Sequence, residues 1–210
     1  NSQIFNAYMV WADREFALEL NGFRIPTSWL MFLDGTVGLL VLVLISWFWR
    51  RWQRAYPAPD EVWKILIGCG FSMASMAVLA SAALSQEPGT KIGLSVPILF
   101  HIFNALAFAH ILPSMLSLVS RIAPSNLGAT SIGLYYLAFF TANLLTGWIG
   151  RYFELMPTAT FWLMHAAIGA VAMLGFIGIQ RILRNKLARY STNTPAKPTP
   201  QELADVNATR

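Results

Sequence analysis

Ser28–Trp47 reads SWLMFLDGTVGLLVLVLISW, 20 residues whose one charged member is Asp34. A helix of that length crosses about 30 Å of hydrocarbon, so the stretch is expected to span a membrane. The carboxylate six residues in is its most informative feature. An ionised aspartate inside a bilayer costs roughly 2.5–3.5 kcal/mol on insertion scales, so such groups usually face a wet cavity. Gly35 follows at once, weakening the helix and admitting a ligand or a second backbone. A carboxylate at a helix weak point suggests a substrate or proton site in a carrier. A plainer alternative is an Asp34 hydrated among the outer headgroups.

The rest of the chain agrees with a membrane setting. Of its 210 residues 56% are hydrophobic and 12% charged, against about 25% charged in soluble domains. Four further spans follow at Val62–Leu84, Leu94–Val119, Leu127–Trp148 and Phe161–Ile182. Ahead of them Ile4–Ala12 is apolar for only nine residues, where about 20 are needed to cross. It reads as the end of a helix whose beginning is missing. The expectation is an all-α membrane protein with five complete transmembrane helices plus the end of a sixth. Residues 1–12 would be that helix end, 13–27 an external loop, 28–190 the transmembrane bundle and 191–210 a disordered cytoplasmic tail.

Basic residues gather at helix ends, which sets topology and argues against nucleic acid despite a net charge of +5. By alternate loops, one side carries Arg50, Arg51, Arg54, Lys64, Arg121, Arg181, Arg184, Lys186 and Arg189. The other carries Arg14, Arg24, Lys91 and Arg151. The richer side is read as cytoplasmic, which puts the C-terminus inside, most simply in a bacterial inner membrane. The run Arg181–Arg189 would anchor topology or bind anionic lipid headgroups. Cys69 is the one cysteine, so an internal disulfide and a cysteine-based metal site are excluded.

Polar residues inside the spans are few. His101 and Asn104 are three apart and share a helix face. His110, nine residues on from His101, is out of phase with it, so a paired-histidine metal site is unsupported. His101 is either a proton acceptor, since histidine titrates near neutral pH, or bonded to a neighbouring helix. Pro113 leaves a carbonyl one turn earlier unpaired. Ala138, Ala142, Thr146 and Gly150 form a stripe suited to close helix contact. Tyr135, Tyr136 and Asn143 lie on the same span, either packed or facing a polar cavity. No phosphate loop, HExxH or GxSxG occurs, and nothing assembles a catalytic triad. No enzyme activity and no cofactor are therefore expected.

Several motifs occur in a fixed order. They are Ala12-Asp13-Arg14, Gly22-Phe23 and Ile25-Pro26-Thr27-Ser28-Trp29, then Pro57, Pro59, Lys64 and Gly68. Further on come Pro113, Leu116-Ser117, Arg121-Ile122-Ala123-Pro124, Gly133, Tyr135-Tyr136-Leu137, Asn143 and Gly147. In this order they resemble helices seven to twelve of the proton-dependent oligopeptide transporter family, the C-terminal helix bundle of a major facilitator fold. Two departures stand out. Asp34-Gly35 occupies the family's usual Asn-Pro, and Ala107-Phe108 its usual Gly-Glu, whose glutamate faces the amino end of the peptide. The resemblance implies proton-coupled symport of di- and tripeptides, with Asp34 replacing the missing carboxylate as partner of a substrate ammonium.

The expected substrate-binding residues are Asp34, Asn104, Tyr135, Tyr136 and Asn143, and the expected proton-coupling residues are Asp34 and His101. The implied partners are a small peptide, protons, an N-terminal helix bundle of the same protein and membrane lipid. Transport of another small solute, such as an amino acid or nitrate, and a non-transporting membrane subunit are the alternatives. Six more spans with an ExxER-type motif in the first are expected upstream of Asn1 in the coding sequence. An upstream frame lacking them would remove the resemblance's main implication.

Overall fold

The computed structural model describes residues 2–57, 59–124 and 126–193, with side chains up to residue 182. Among the described residues five helices are long and apolar enough to cross a membrane. They are α2 (Trp29–Trp52), α3 (Glu61–Ser85), α4 (Ser95–Ile122), α5 (Gly128–Gly150) and α6 (Thr158–Asn193). Each reaches past the span expected from hydropathy, because a helix continues into polar flanks until a breaker or cap ends it. Pro57 and Pro59 precede α3, and the Asp60 side chain caps it by accepting the Trp63 backbone N–H at 2.8 Å. Pro157 precedes α6 and Pro97 sits in the first turn of α4, where a missing N–H breaks no bond. Pro113 lies in the interior of α4.

The segment ahead of α2 has internal structure: a 3-10 turn, Ser2–Phe5, precedes a short helix, α1 (Ala7–Glu15). The break falls at Asn6, whose dihedrals (φ −135°, ψ −109°) are not helical. There the chain turns onto the small-residue stripe of α5. Gln3 Nε2 donates to the Thr146 carbonyl at 3.0 Å, and any side chain at Gly150 would collide with the Asn6 amide. The stripe is therefore used at its Thr146–Gly150 end, while Ala138 and Ala142 are exposed. At the other terminus α6 runs to Asn193, three residues beyond the expected bundle limit of 190, and residues 194–210 lie outside the described ones.

The segment 13–27 is also more ordered in its backbone than a plain loop. Strands β1 (Glu19–Leu20) and β2 (Phe23–Arg24) pair antiparallel across Asn21-Gly22. Both turn residues have positive φ, 52° and 78°, which is the conformation that Asn-Gly adopts in a tight hairpin. The hairpin is tied down on both flanks. Ala17 N–H donates to the Ile92 carbonyl and Ile92 N–H to that of Glu15, each at 2.8 Å. Asp13 accepts the Thr27 hydroxyl at 2.6 Å and lies 3.7 Å from Arg24.

Residues Asn1–Phe176 form one compact unit, and from Ile177 the chain belongs to a second, whose described part is the continuation of α6 to Asn193. Within the first unit α4 is central, packing against α2, α3 and α5. Burial follows that arrangement. Helices α3 and α4 hold most of the buried positions, α2 has Leu30 alone and α5 has none. A second focus joins α1 to α4 and α6: Tyr8 stacks on Phe100 at 4.7 Å and Trp11 meets Trp162 at 5.6 Å. At the opposite end Arg121 bonds both oxygens of Glu61 at 2.7 and 2.6 Å, fastening the start of α3 to the end of α4.

Gly68 is what lets α3 and α4 come so close. A Cβ there would lie 2.5 Å from Ile111 Cγ1, 3.0 Å from the Ala107 carbonyl oxygen and 3.2 Å from His110 Cβ. The carbonyl cannot yield without moving α4. Gly68→Ala is expected to destabilise the bundle by about 1–3 kcal/mol through overpacking, read as a lowered unfolding midpoint in detergent. Gly70→Ala, with nothing within 4 Å, should be neutral or better.

Candidate functional site

The three-residue spacing on α4 puts His101 and Asn104 on one face, and that face is turned toward α2. Both are buried, at 0% and 3% exposure. Asp34 Oδ1 receives both of them: His101 Nδ1 lies at 3.1 Å and Asn104 Nδ2 donates at 3.0 Å. An ionised carboxylate only accepts, so the hydrogen at that histidine contact is carried by Nδ1. The other ring nitrogen, Nε2, lies 3.1 Å from the hydroxyl of Tyr8 on α1. Three elements thus converge on a single polar row, Tyr8–His101–Asp34, with Asn104 as a second donor at the carboxylate.

Asp34 keeps 23% of its side chain exposed and opens onto a cavity of about 360 Å³. The wall includes Gly35, Gly38, Asn104, Phe108 and Phe139. No atom lies within 4 Å of where a Cβ would stand on Gly35 or Gly38, so those two glycines widen the space along α2. Most of the wall is apolar. Its polar end is the Asp34 carboxylate; Asn104 Oδ1 behind it is buried, with no partner among the described residues. Such a cavity suits a solute with a cationic donor at one end and apolar groups behind it.

Not all the residues expected at the site meet there. Asp34, Asn104 and His101 do. Tyr135, Tyr136 and Asn143 are not among the residues lining this cavity. Tyr135 and Tyr136 pack edge to face on each other at 5.4 Å, Tyr136 is exposed, and the Asn143 amide donates to the Phe139 carbonyl of its own helix at 2.9 Å. Helix α5 instead sends Phe139 to the wall. Tyr135 and Asn143 stand four residues before and after it, so they share its stripe one turn away on either side. Tyr136 is off that stripe.

The remaining histidines bond within their own helices. His110 Nδ1 meets the Leu106 carbonyl at 2.7 Å and its ring lies against Trp49 and Phe71, away from His101. His165 Nδ1 meets the Phe161 carbonyl at 2.8 Å. Among the described residues no group of three or more His, Cys, Asp or Glu side chains could hold a metal ion.

Sequence reasoning missed Tyr8 and Phe139. Tyr8 sits in the short apolar run, where nothing local marks it; the one available signal was a lone phenol in a segment otherwise suited to lipid. Phe139 is one of many large apolar residues on α5, and only the packing of α5 beside α4 singles it out.

No protein-family model matches the chain. Two bacterial proteins are similar to it in sequence. Peptide transporter YePEPT of Yersinia enterocolitica is 26% identical over 175 residues, covering 78% of this chain and 34% of that protein. Uncharacterized transporter YclF of Bacillus subtilis is 20% identical over 184 residues, covering 85% and 36%. The chain therefore spans about a third of the length of the curated relatives it matches. Among solved structures, peptide transporter POT in complex with sulfate superposes with a TM-score of 0.76 at 18% identity, covering 86% of this chain and 36% of that one. A POT family transporter in complex with 5-aminolevulinic acid gives 0.73 at 16%, covering 83% and 36%. These structures establish the fold. In sequence and in fold alike, this integral membrane chain resembles the C-terminal half of a proton-dependent oligopeptide transporter.

Proposed function

We propose that the chain is the C-terminal bundle of a proton-coupled symporter for di- and tripeptides, and that Asp34 receives the ammonium end of the solute. The observation that carries this reading is the partly exposed Asp34 carboxylate at one end of an otherwise mostly apolar cavity. An ammonium brings three donors and a positive charge, which matches the lone pairs and the charge of a carboxylate. The walls formed by Gly35, Gly38, Phe108 and Phe139 leave room for apolar side chains. The sequence relative named as a peptide transporter supports the same solute class, as does a POT family structure in complex with a thioalcohol conjugated peptide.

The departures from the resembled family fall into one place. Phe108 stands where the family's glutamate is usual and Asp34 where its asparagine is usual, yet both line this cavity. A negative charge lost from α4 is thus regained on α2 within the same space. An anion such as nitrate would meet Asp34 as a like charge, which makes it the poorer fit. Tyr135, Tyr136 and Asn143 enter the proposal as residues of α5 that a solute larger than the cavity would reach. His101, bonded directly to Asp34, is the group through which proton and solute binding would be linked.

In this reading the bundle rocks against a second, N-terminal bundle about a site near mid-membrane. It lies in a bacterial inner membrane with lipid around it, and the C-terminus faces the cytoplasm. Uptake of labelled dipeptide by the full-length transporter tests the reading. Replacing a charged acceptor by an amide removes roughly 1.5–3 kcal/mol of interaction, so Asp34→Asn should lower proton-driven uptake by roughly 10- to 100-fold. Wild-type uptake in Asp34→Asn would take the carboxylate out of the mechanism.

A further inference from the structure

Tyr8 has no part in the transport reading above, although the inference drawn from it rests on that reading. We infer that Tyr8 is a positioning residue whose hydroxyl satisfies Nε2 of His101 in both protonation states of the imidazole, making His101 a reversible proton site behind Asp34. His101 has no exposed surface, so each ring nitrogen needs a hydrogen-bond partner within the protein. Nδ1 has Asp34, at 3.1 Å. Nε2 has the Tyr8 hydroxyl, also at 3.1 Å.

A hydroxyl both donates and accepts, because it turns about its C–O bond. Facing a neutral imidazole, Tyr8 donates O–H to the Nε2 lone pair. Facing the imidazolium, it turns and accepts N–H from Nε2. A backbone carbonyl would serve only the second state and a phenyl ring neither. The proton that His101 gains or loses therefore leaves neither ring nitrogen without a partner. Packing holds the phenol in position for both roles. Tyr8 is fully buried, stacked on Phe100 at 4.7 Å and set against the edge of Phe16 at 5.8 Å.

The titratable groups facing the imidazole are Asp34 from α2 and Tyr8 from α1. Those of the other elements are engaged elsewhere. On α3, Glu61 pairs with Arg121, Lys64 lies over Trp49, and Cys69 follows the glycine that meets α4 at Ala107–Ile111. On α5, Tyr135 and Tyr136 pack on each other, and on α6 His165 bonds the Phe161 carbonyl. On α1, Asp13 holds Thr27, Arg14 holds Glu154 and Glu15 holds Gln86.

Tyr8→Phe keeps the stacked ring and removes the hydroxyl alone. In the full-length transporter, ring-nitrogen NMR should show the His101 Nε2 resonance moving to that of an unbonded lone pair, with His110 and His165 unchanged. The His101 signals are assigned by their loss in His101→Gln. Dipeptide uptake driven by a pH gradient should fall about tenfold, while counterflow at equal pH stays within about twofold. Added to His101→Gln, Tyr8→Phe should bring no further loss. The inference is overturned by an unmoved Nε2 resonance, by gradient-driven uptake and counterflow falling together, or by an equal further loss in the double variant. A wild-type protein that carries no dipeptide would remove the transport reading instead, and the NMR comparison would still decide the role of Tyr8.

Discussion

A carboxylate surrounded by apolar side chains persists only where donors meet it, and Asp34 is met by two on one oxygen. His101 and Asn104 reach it from α4, across gaps of 67 and 70 positions in the chain. That requirement orders much of what surrounds it. Helix α4 has to present its His101–Asn104 face to α2 rather than to lipid. Helix α1 has to lie close enough to give Nε2 of His101 a partner of its own. The second carboxylate oxygen remains for the cavity, so the same bonds that stabilise the buried charge also aim it.

Packing supplies the precision those bonds need. Hydrogen bonds of about 3 Å tolerate little movement between helices, and the bundle restricts movement at several points. Gly68 lets α3 approach the backbone of α4, and the Arg121–Glu61 pair closes the far end of the same helix pair. Near the site, Tyr8, Phe16, Phe100, Trp11 and Trp162 form a continuous aromatic cluster that fixes α1. The hairpin over Asn21-Gly22 shapes the link from α1 to α2, and the bridge to Ile92 ties it to the segment entering α4. The elements that hold the polar row are therefore joined to one another on both sides of it.

The departures from the resembled family gain a physical meaning from this arrangement. A glutamate exchanged for Phe108 would leave an apolar cavity with no anchor for a cation. An asparagine exchanged for Asp34 places on α2 a carboxylate whose partners are His101 and Asn104. Both positions line one cavity, and in the proposed reading the carboxylate on α2 stands in for the one absent from α4. Gly35 in place of a proline also leaves open space beside the carboxylate, where a bulkier residue would narrow the approach.

Local physics in the sequence was enough to determine the membrane setting, the five long helices and the lone charge within the first of them. Length and apolarity decide whether a segment crosses a bilayer, and a lone charge within one is costly whatever its neighbours are. The shared face of His101 and Asn104 was equally legible, since helical geometry fixes it within a single turn. The turn at Asn21-Gly22 carried a readable signal as well, in the two residue types that accept positive φ. Only the tertiary structure decided which side chains share the cavity. Tyr8 joins His101 over 93 positions, and Phe139 rather than Tyr135, Tyr136 or Asn143 reaches the wall, because rotation of α5 about its axis is set by contact with α4. The break at Asn6 belongs to the same class: it follows from docking against Gly150, a residue far along the chain whose missing side chain leaves the space.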